Sequence, residues 1–429
     1  RGWYQAVFGV LAPRQVTRGG KILMIQLDNE MGMMAWVRNI LDTNPDTLAR
    51  FATHLRQRFG SQLAERYPAN DLEALLRAGI QDSQAPHSRQ IVEDYRRFYR
   101  DYLREYTLFL QEEAVRCGLE VPPVINIHGF GNGGKTFPIG LSQLVRVMEI
   151  DGVVSATDVY PGHIGEDNLH HILLVNEMTK TLQNRHQPLF SMEFQAGGNH
   201  DFGRGEASLY DLHSRVSISV GMRAINHYLF FDGENDPILS PVRRHDWGHP
   251  VRKDGSLRKH YPRYARLSNV LCAYGSALVN SRPTKVGFLL DYFMTEVNNP
   301  ASKPAADILT HQRDVILFDL IARGLTLTHR PFDTVDLVAA ELDAKKIPQC
   351  WVMIEQACPA ETQIKLREYV RQGGKLVLIG RMCVEDFDHQ PCTILMEALG
   401  IQQIQGGVPF QSHEIQVFEH PHVPVSFLE

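Results

Sequence analysis

The chain has 429 residues, 43% of them hydrophobic, with 44 basic and 49 acidic side chains and a net charge of −5. That is ample for a buried core and for more than one domain. No long basic block points to nucleic acid or an anionic membrane surface, and no apolar run approaches the roughly 20 residues that span a bilayer.

In chain order, Arg1 to Gln15, with Trp3, Val7, Val10 and Leu11, reads as a helix leading into Gly19-Gly20. Ile22 to Leu27 is a short apolar run of the kind parallel sheets bury on both faces. It stops at Asp28-Asn29-Glu30-Met31-Gly32. An amide and a carboxyl therefore sit at the strand's C-terminal end, where α/β barrels carry catalytic side chains; capping of the next loop would explain the same residues. Residues 31–90 read as a long insertion, with Thr43 to Thr47 as a turn and helix start, Leu48 to Phe59 as one helix and Asp71 to Ala78 as another. Met33, Met34 and Trp36 either line the mouth of a site or pack the insertion. Ile91 to Cys117 reads as a long amphipathic helix with Tyr95, Phe98, Tyr102, Tyr106 and Leu110 on its inner side.

Pro123 to Gly129 reads as a second strand with Asn126 and His128 on one face; His128 either lines the pocket or is a satisfied core histidine. Gly129 to Gly134 is rich in glycine but lacks the strand-then-helix fingerprint of a phosphate loop. Gly152 to Tyr160 is a third strand, ending Asp158-Val159-Tyr160-Pro161. The helix over 168–186 carries His170-His171, read as solvated surface. Gln187 to Gln195 is an apolar strand holding a lone Glu193, and a carboxylate there is costly to bury unless something pairs with it or uses it. A polar loop follows (Gly197 to Gly203), then a helix over Ser208 to Val220 and a strand over Ala224 to Phe231 in which Asn226 and Tyr228 alternate with apolar residues. Two strands that each end in a glutamate suggest the paired carboxylates of a glycosidase; a core salt bridge is the other reading of Glu193.

From Pro283 the texture becomes a regular βαβ alternation. Strands are expected over Lys285 to Leu290, Leu325 to His329, Cys350 to Ile354 and Gly373 to Gly380, and helices over Ala305 to Arg323 and Ala360 to Gln372. This argues for a flavodoxin-like or amidotransferase-like parallel sheet. It has neither a dinucleotide fingerprint nor a Cys/His/Glu triad, and reads as non-catalytic, serving packing or homo-oligomer contacts. The six cysteines are scattered without metal-site spacing and read as reduced thiols of a cytoplasmic protein. The chain begins at Arg1 and ends at Glu429 in what reads as the middle of a domain, which suggests a piece clipped at both ends.

Four stretches resemble, in order, the clan A glycoside hydrolases, nearest the β-galactosidases of family 35. They are Ile25 to Gly32, Thr157 to Pro161, Ser191 to Gly197 and Ile225 to Asn235. The resemblance covers roughly Arg1 to Arg282. It implies an α/β fold: a partial (β/α)8 TIM barrel, strands 4 to 8, over residues 1–282, followed by the parallel α/β domain over 283–429. Barrel strands 1 to 3 are missing from the pattern. Arg243 to Pro250 resembles a family loop in which Trp247 and His249 replace the usual residues. The implied chemistry is retaining hydrolysis by double displacement, most simply of a terminal non-reducing β-D-galactose. Glu30 is the expected acid/base and Glu193 the nucleophile, with Asn29 on the sugar 2-hydroxyl and Tyr160 or Tyr228 orienting Glu193. Asn29, Tyr160, Asn226, Tyr228 and Trp247 are the expected substrate contacts, and no metal or other cofactor is expected. The alternatives are the same chemistry on another β-linked sugar, a glucoside or glucosaminide, or a non-catalytic glycan-binding remnant.

Overall fold

The computed structural model describes residues 1–33, 35, 41–129, 134–160, 162, 164–183, 186–195, 207–238, 244–245, 249–274, 284–296, 303–401, 411–415 and 423–427. Five strands, β1 (Ile25–Gln26), β2 (Pro123–Ile127), β3 (Val154–Val159), β4 (Leu189–Gln195) and β5 (Met222–Tyr228), form one curled sheet in chain order, each parallel to the next. It is half of a barrel wall. β2 is buried along its whole length, as expected of a strand with neighbours on both sides and helices outside. β1 is shorter than its apolar run implies. It pairs only through Ile25 and Gln26, and Leu23 and Met24 are exposed. As the edge strand it has a single neighbour, so half of the burial expected for Ile22 to Leu27 is missing.

Local chemistry sets the helix boundaries. Helix α1 (Gly2–Leu11) is tied to the start of β2 by the buried Gln15, whose amide donates to the Ala12 and Gly118 carbonyls while its oxygen accepts from the Glu120 and Val121 amides. The insertion holds α2 (Pro45–Phe59), α3 (Leu63–Arg66) and α4 (Leu72–Gln81). Asn44 and Asp71 cap α2 and α4 by accepting the amides of Thr47 and Ala74 at 3.0 Å. Helix α5 (Ser88–Arg116) buries Tyr95 and Phe98 against Phe51. Tyr106, expected on that inner face, is instead 40% exposed and donates to Asp28 Oδ2 at 2.8 Å. Helices α6 (Phe137–Met148), α7 (Leu169–Leu182) and α8 (Ala207–Ser219) follow β2, β3 and β4; after β5 come a short ribbon, β6 (Gly233–Glu234) with β7 (Arg244–His245), and α9 (Tyr261–Tyr274).

The second sheet contains β8 (Thr284–Phe288), β9 (Phe332–Asp336), β10 (Gln349–Ile354) and β11 (Lys375–Gly380), all parallel, in the spatial order β11-β10-β8-β9. Helix α10 (Leu290–Thr295) follows β8, and α11 (Lys303–Gln312) runs through wide π turns at Arg313–Ala322 into α12 (Arg323–Leu327). The strand expected over Leu325 to His329 is therefore helical up to Leu327. Thr326 and Thr328 suit strands by propensity, yet their hydroxyls bond back to the carbonyls of Ala322 and Gly324 at 2.7 Å. Burial of Leu325 holds the turn, and His329, at a φ of +52°, lies just past its end. Helices α13 (Ala360–Arg371) and α14 (Ile394–Ala398) and an antiparallel pair, β12 (Gln411–Ile415) with β13 (Val423–Phe427), complete the described elements.

One apolar core runs through both sheets, from Ile125, Leu144 and Leu174 to Phe288, Phe318 and Leu366. Polar contacts cross the same seam: Thr181 with Thr334, Arg100 with Asp291 and Lys135 with Asp319. His170 and His171 also lie there, buried rather than solvated as their sequence suggested, and His170 Nε2 sits 3.3 Å from Asp319. Packing of the 313–322 turns on α7 covers the face that would otherwise meet water. That burial holds His170 down at about 4, with the Asp319 contact opposing it. Among the described residues no helix is long and apolar enough to cross a membrane.

Candidate active site

Glu30 stands on the segment just past the carboxyl end of β1, and that segment is held from several sides. The Tyr4 hydroxyl donates to the Leu27 carbonyl at 2.6 Å, and the Glu30 amide donates to Asn126 Oδ1 at 2.8 Å. His128, fully buried, donates through Nε2 to the Met31 carbonyl at 3.1 Å. Burial pushes its pKa down to about 4, so it is a neutral packing histidine rather than a pocket-lining acid or base. Glu30 has a φ of +50° and Gly32 one of +78°. At Gly32 a Cβ would stand 2.6 Å from Gln143 Nε2, which donates to the Gly32 carbonyl at 2.8 Å, so only glycine fits.

Glu193 is aimed by an irregularity in β4. The ladder to β3 pairs Thr157 with Ser191 but Asp158 with Glu193, and the ladder to β5 also shifts between Ser191 and Phe194. One extra residue on β4 therefore swings Glu193 out of strict alternation, a bulge of the kind found beside active sites. The Asn226 amide donates to the Met192 carbonyl at the bulge at 2.9 Å. The Glu193 carboxylate accepts the Tyr160 hydroxyl at 2.6 Å, and the Tyr160 ring meets Tyr228 edge-on at 5.5 Å. Tyr160, one of the two tyrosines expected to orient Glu193, donates to it, and Tyr228 packs on the Tyr160 ring.

The two glutamates converge. Oxygen atoms of Glu30, Glu193 and Asp158 all lie within 4.8 Å of one another. Burial, and secondarily the Glu193 charge, pushes Glu30 up to about 7. Burial also raises Glu193, opposed by the Tyr160 hydroxyl. Asp158, 1% exposed, is raised well above the usual carboxylate range by burial and by Glu193. Its Oδ2 accepts from Asn126 Nδ2 at 2.7 Å, while its buried Oδ1 has no hydrogen-bond partner. Three carboxylates at this spacing repel one another, and burial of Asp158 favours its neutral form over its charged one.

Asn29 is exposed beside Glu30 and its side-chain oxygen accepts from Gln26 and Asn126. Asn226 is exposed but spends its amide on Met192. Trp247, Trp36, Met34 and the 197–203 loop lie outside the described residues. Asp158 and Asn126 were not singled out as site residues from the sequence. Asp158 lies within a quoted motif and Asn126 shares one strand face with His128, but what joins them to Glu30 is adjacency across strands. Two groups have cation-ligand spacing among the described residues, these three carboxylates and His170 with His171 and Asp319. In the second, the Lys135 ammonium already sits on Asp319 at 2.6 Å. A cavity of about 710 Å³ lies between α2 and α5 and is lined by none of the three carboxylates.

Residues 301–428 match the family model described as GLMA-like, second domain. A β-1,2-glucosyltransferase of Ignavibacterium album is 24% identical over 453 residues, covering 97% of this chain and 60% of that protein. An exo-β-D-glucosaminidase of Thermococcus kodakarensis is 25% identical over 418 residues, covering 93% of this chain and 52% of that protein. The chain thus spans 60% and 52% of the lengths of these two relatives. Among solved structures, the β-galactosidase from Rahnella sp. R3 superposes with a TM-score of 0.66 at 13% identity, over 96% of this chain and 58% of that one. Gan42B, a GH42 β-galactosidase, gives 0.57 at 15% identity over 80% and 50%. The half-barrel and the parallel sheet behind it share the fold of these glycoside hydrolases.

Proposed function

We propose that the chain carries the catalytic pair of a retaining β-glycosidase, with Glu30 as acid/base and Glu193 as nucleophile. The observation that carries this reading is that one oxygen of each carboxylate lies within 4.8 Å of the other, compatible with the roughly 5–5.5 Å between the carboxyl groups of retaining pairs. Glu30, raised to about 7, holds a proton for the departing glycosidic oxygen near neutral pH. Glu193, with its charge favoured by the Tyr160 hydroxyl, attacks the anomeric carbon as the bond to the leaving oxygen breaks. Glu30, now ionised, takes the proton of the incoming hydroxyl, and that oxygen displaces Glu193. Asn29, beside the acid, is placed to meet the sugar 2-hydroxyl.

For the sugar, the motif resemblance to family 35 favours a terminal β-galactoside. The sequence relatives, whose names specify glucosyl transfer and β-glucosaminide cleavage, favour a gluco-configured unit. Because the second half of double displacement accepts water or another sugar hydroxyl, a hydrolase and a transferase share this pair of carboxylates. The test is to follow an aryl β-glucoside, β-glucosaminide and β-galactoside by proton NMR in the first minutes of reaction with the full-length polypeptide. The expected first product has the β configuration, and Glu193→Gln abolishes its formation. An α-anomer as first product would overturn the retaining mechanism. Undiminished activity of Glu193→Gln would overturn the site.

A further inference from the structure

The second sheet has a reversal in strand order of its own. The chain passes from β8 outward to β9 on one side, then returns to place β10 and β11 on the other. In open parallel sheets the crevice beyond the carboxyl ends, where the order reverses, is where ligands settle, because the two neighbouring loops diverge there. A cavity of about 440 Å³ lies at that place. Its floor is made of residues just past β8 (Asp291, Tyr292), β10 (Glu355, Gln356) and β11 (Arg381), and helix α5 of the half-barrel closes it from the other side. None of the Glu30, Asp158 and Glu193 group lines it.

The polar groups on its walls are incompletely used. Glu355 is 8% exposed, and its Oε1 accepts the Gln356 amide at 2.9 Å. Its Oε2 is buried without a partner at hydrogen-bonding geometry, although the Gln312 side chain is near enough to favour the charged carboxylate, and Arg381 forms a loose ion pair with Oε1 at 3.8 Å. His389 touches Glu385 through Nδ1 at 3.3 Å while its buried Nε2 has no hydrogen-bond partner. Tyr292 is a fixed post. Its hydroxyl donates to the Ala357 carbonyl and accepts the Glu355 amide, and its ring meets Phe387 edge-on at 5.8 Å. Ile308 and Leu309 supply apolar wall.

These walls select a ligand class. Three arginines face four carboxylates, and each is paired with one of them, Arg89 with Glu385, Arg96 with Glu93 and, more loosely, Arg381 with Glu355. No surplus of positive charge is left for a phosphate or a nucleotide. Glu355 Oε2 takes a hydroxyl donor, His389 Nε2 is a second polar atom without a hydrogen-bond partner, and a ring of hydroxyls on a compact body with apolar C–H faces serves both. The volume falls in the range of small-molecule sites, about 300–1,000 Å³. We propose that this crevice is a second binding site, for a neutral sugar ring, held between Glu355, Arg381 and His389 and walled by Phe387 and Ile308. The site bridges α5 and the second sheet, so its occupant clamps the half-barrel to the parallel domain.

The test is hydrogen exchange read by mass spectrometry on the intact protein with millimolar glucose or galactose, neither of which has a glycosidic bond to cleave. Protection is expected over 289–293 and 354–358, saturating with sugar concentration. Ile308→Trp, which fills the cavity from the surface side of α11, and Glu355→Ala, which removes the buried carboxylate, each raise the half-saturating concentration at least tenfold. Both leave any protection over 28–32 and 191–195 unchanged. Exchange in β10 without sugar reports whether either variant still folds. Three results overturn the proposal: no protection of these segments by either sugar, protection that both folded variants retain, or glucose 6-phosphate acting at lower concentration than glucose. Protection confined to 28–32 and 191–195 rejects this site and leaves the Glu30–Glu193 reading standing.

Discussion

Asn126 holds the backbone of Glu30. Its side-chain oxygen accepts the Glu30 amide at 2.8 Å, and its amide group donates to Asp158 at 2.7 Å. One side chain on β2 therefore fixes both the residue in the left-handed region and the carboxyl group behind it. Asn126→Ala leaves two buried polar groups without partners, at about 1–3 kcal/mol each. The expected result is a lower midpoint of denaturant unfolding together with a fall in kcat of roughly tenfold or more, since Glu30 loses its register. Unchanged kcat would mean that Glu30 is placed by its other neighbours.

The acid/base assignment makes a pH prediction. With Glu30 raised to about 7, it is protonated below that value and loses its proton above it. Activity in kcat/KM should therefore fall as pH rises through about 7, and Glu30→Gln should lower the rate by about 10²–10⁴-fold on substrates whose leaving group needs a proton. Stability follows the same proton. Because the folded-state value lies above the unfolded one, the neutral carboxyl's contribution is fully present below the unfolded pKa and is lost as pH rises through the folded one. Glu30→Gln should therefore have its largest stabilising effect above pH 7, read as Tm against pH.

Asp158 gives a sharper test. If it is neutral near pH 7, the form its burial favours, Asp158→Asn keeps the acceptor for Asn126 and removes no charge. The basic limb of the pH profile should then stay where it is, and the rate should remain within about tenfold of the parent. An ionised Asp158 would instead have been holding Glu30 up, and the limb would move to lower pH in the variant.

Tyr160→Phe removes the hydroxyl that donates to Glu193 at 2.6 Å. A hydrogen bond to a charged group contributes about 1.5–3 kcal/mol, which corresponds to roughly ten- to a hundredfold in rate. The acidic limb should move to higher pH because the ionised nucleophile loses its donor. A fall in rate with an unmoved acidic limb would reassign Tyr160 to substrate contact.

Away from the site, Arg313 and Glu296 form a pair that is 2% and 1% exposed at 2.6 Å. Removing Arg313 leaves the buried Glu296 without its counter-charge, whereas Arg313 itself also pairs with Asp314 at 2.9 Å. Arg313→Met should cost about 3–5 kcal/mol in equilibrium unfolding, whereas the double change Arg313→Met with Glu296→Leu should recover much of that loss.

Much of the architecture was legible in the sequence because it is written in local patterns. An apolar run that ends in Asn29-Glu30, a lone Glu193 in a strand, and the βαβ rhythm after Pro283 all survive translation into structure. What stayed hidden depends on neighbours distant in the chain. The apolar run at Ile22 to Leu27 reads as a strand buried on both faces, and only the absence of barrel strands 1 to 3 from the pattern points to the edge that β1 forms. Thr326 and Thr328 suit a strand by local propensity, yet around the buried Leu325 one lies in the helix and the other caps it. The His170-His171 pair looked solvated because the element that covers it comes some 140 residues later. Asp158 and Asn126 belong to the same class, since each has an ordinary local sequence and gains its meaning from the strand beside it.

The apolar cluster that runs from Phe8 and Ile125 through Phe318 to Leu395 disregards the boundary near residue 282 that the change of sequence texture suggests. Surface buried jointly is exposed jointly. Calorimetry should therefore give a single cooperative endotherm for the two sheets, with equal calorimetric and van't Hoff enthalpies, and not one melting step for each.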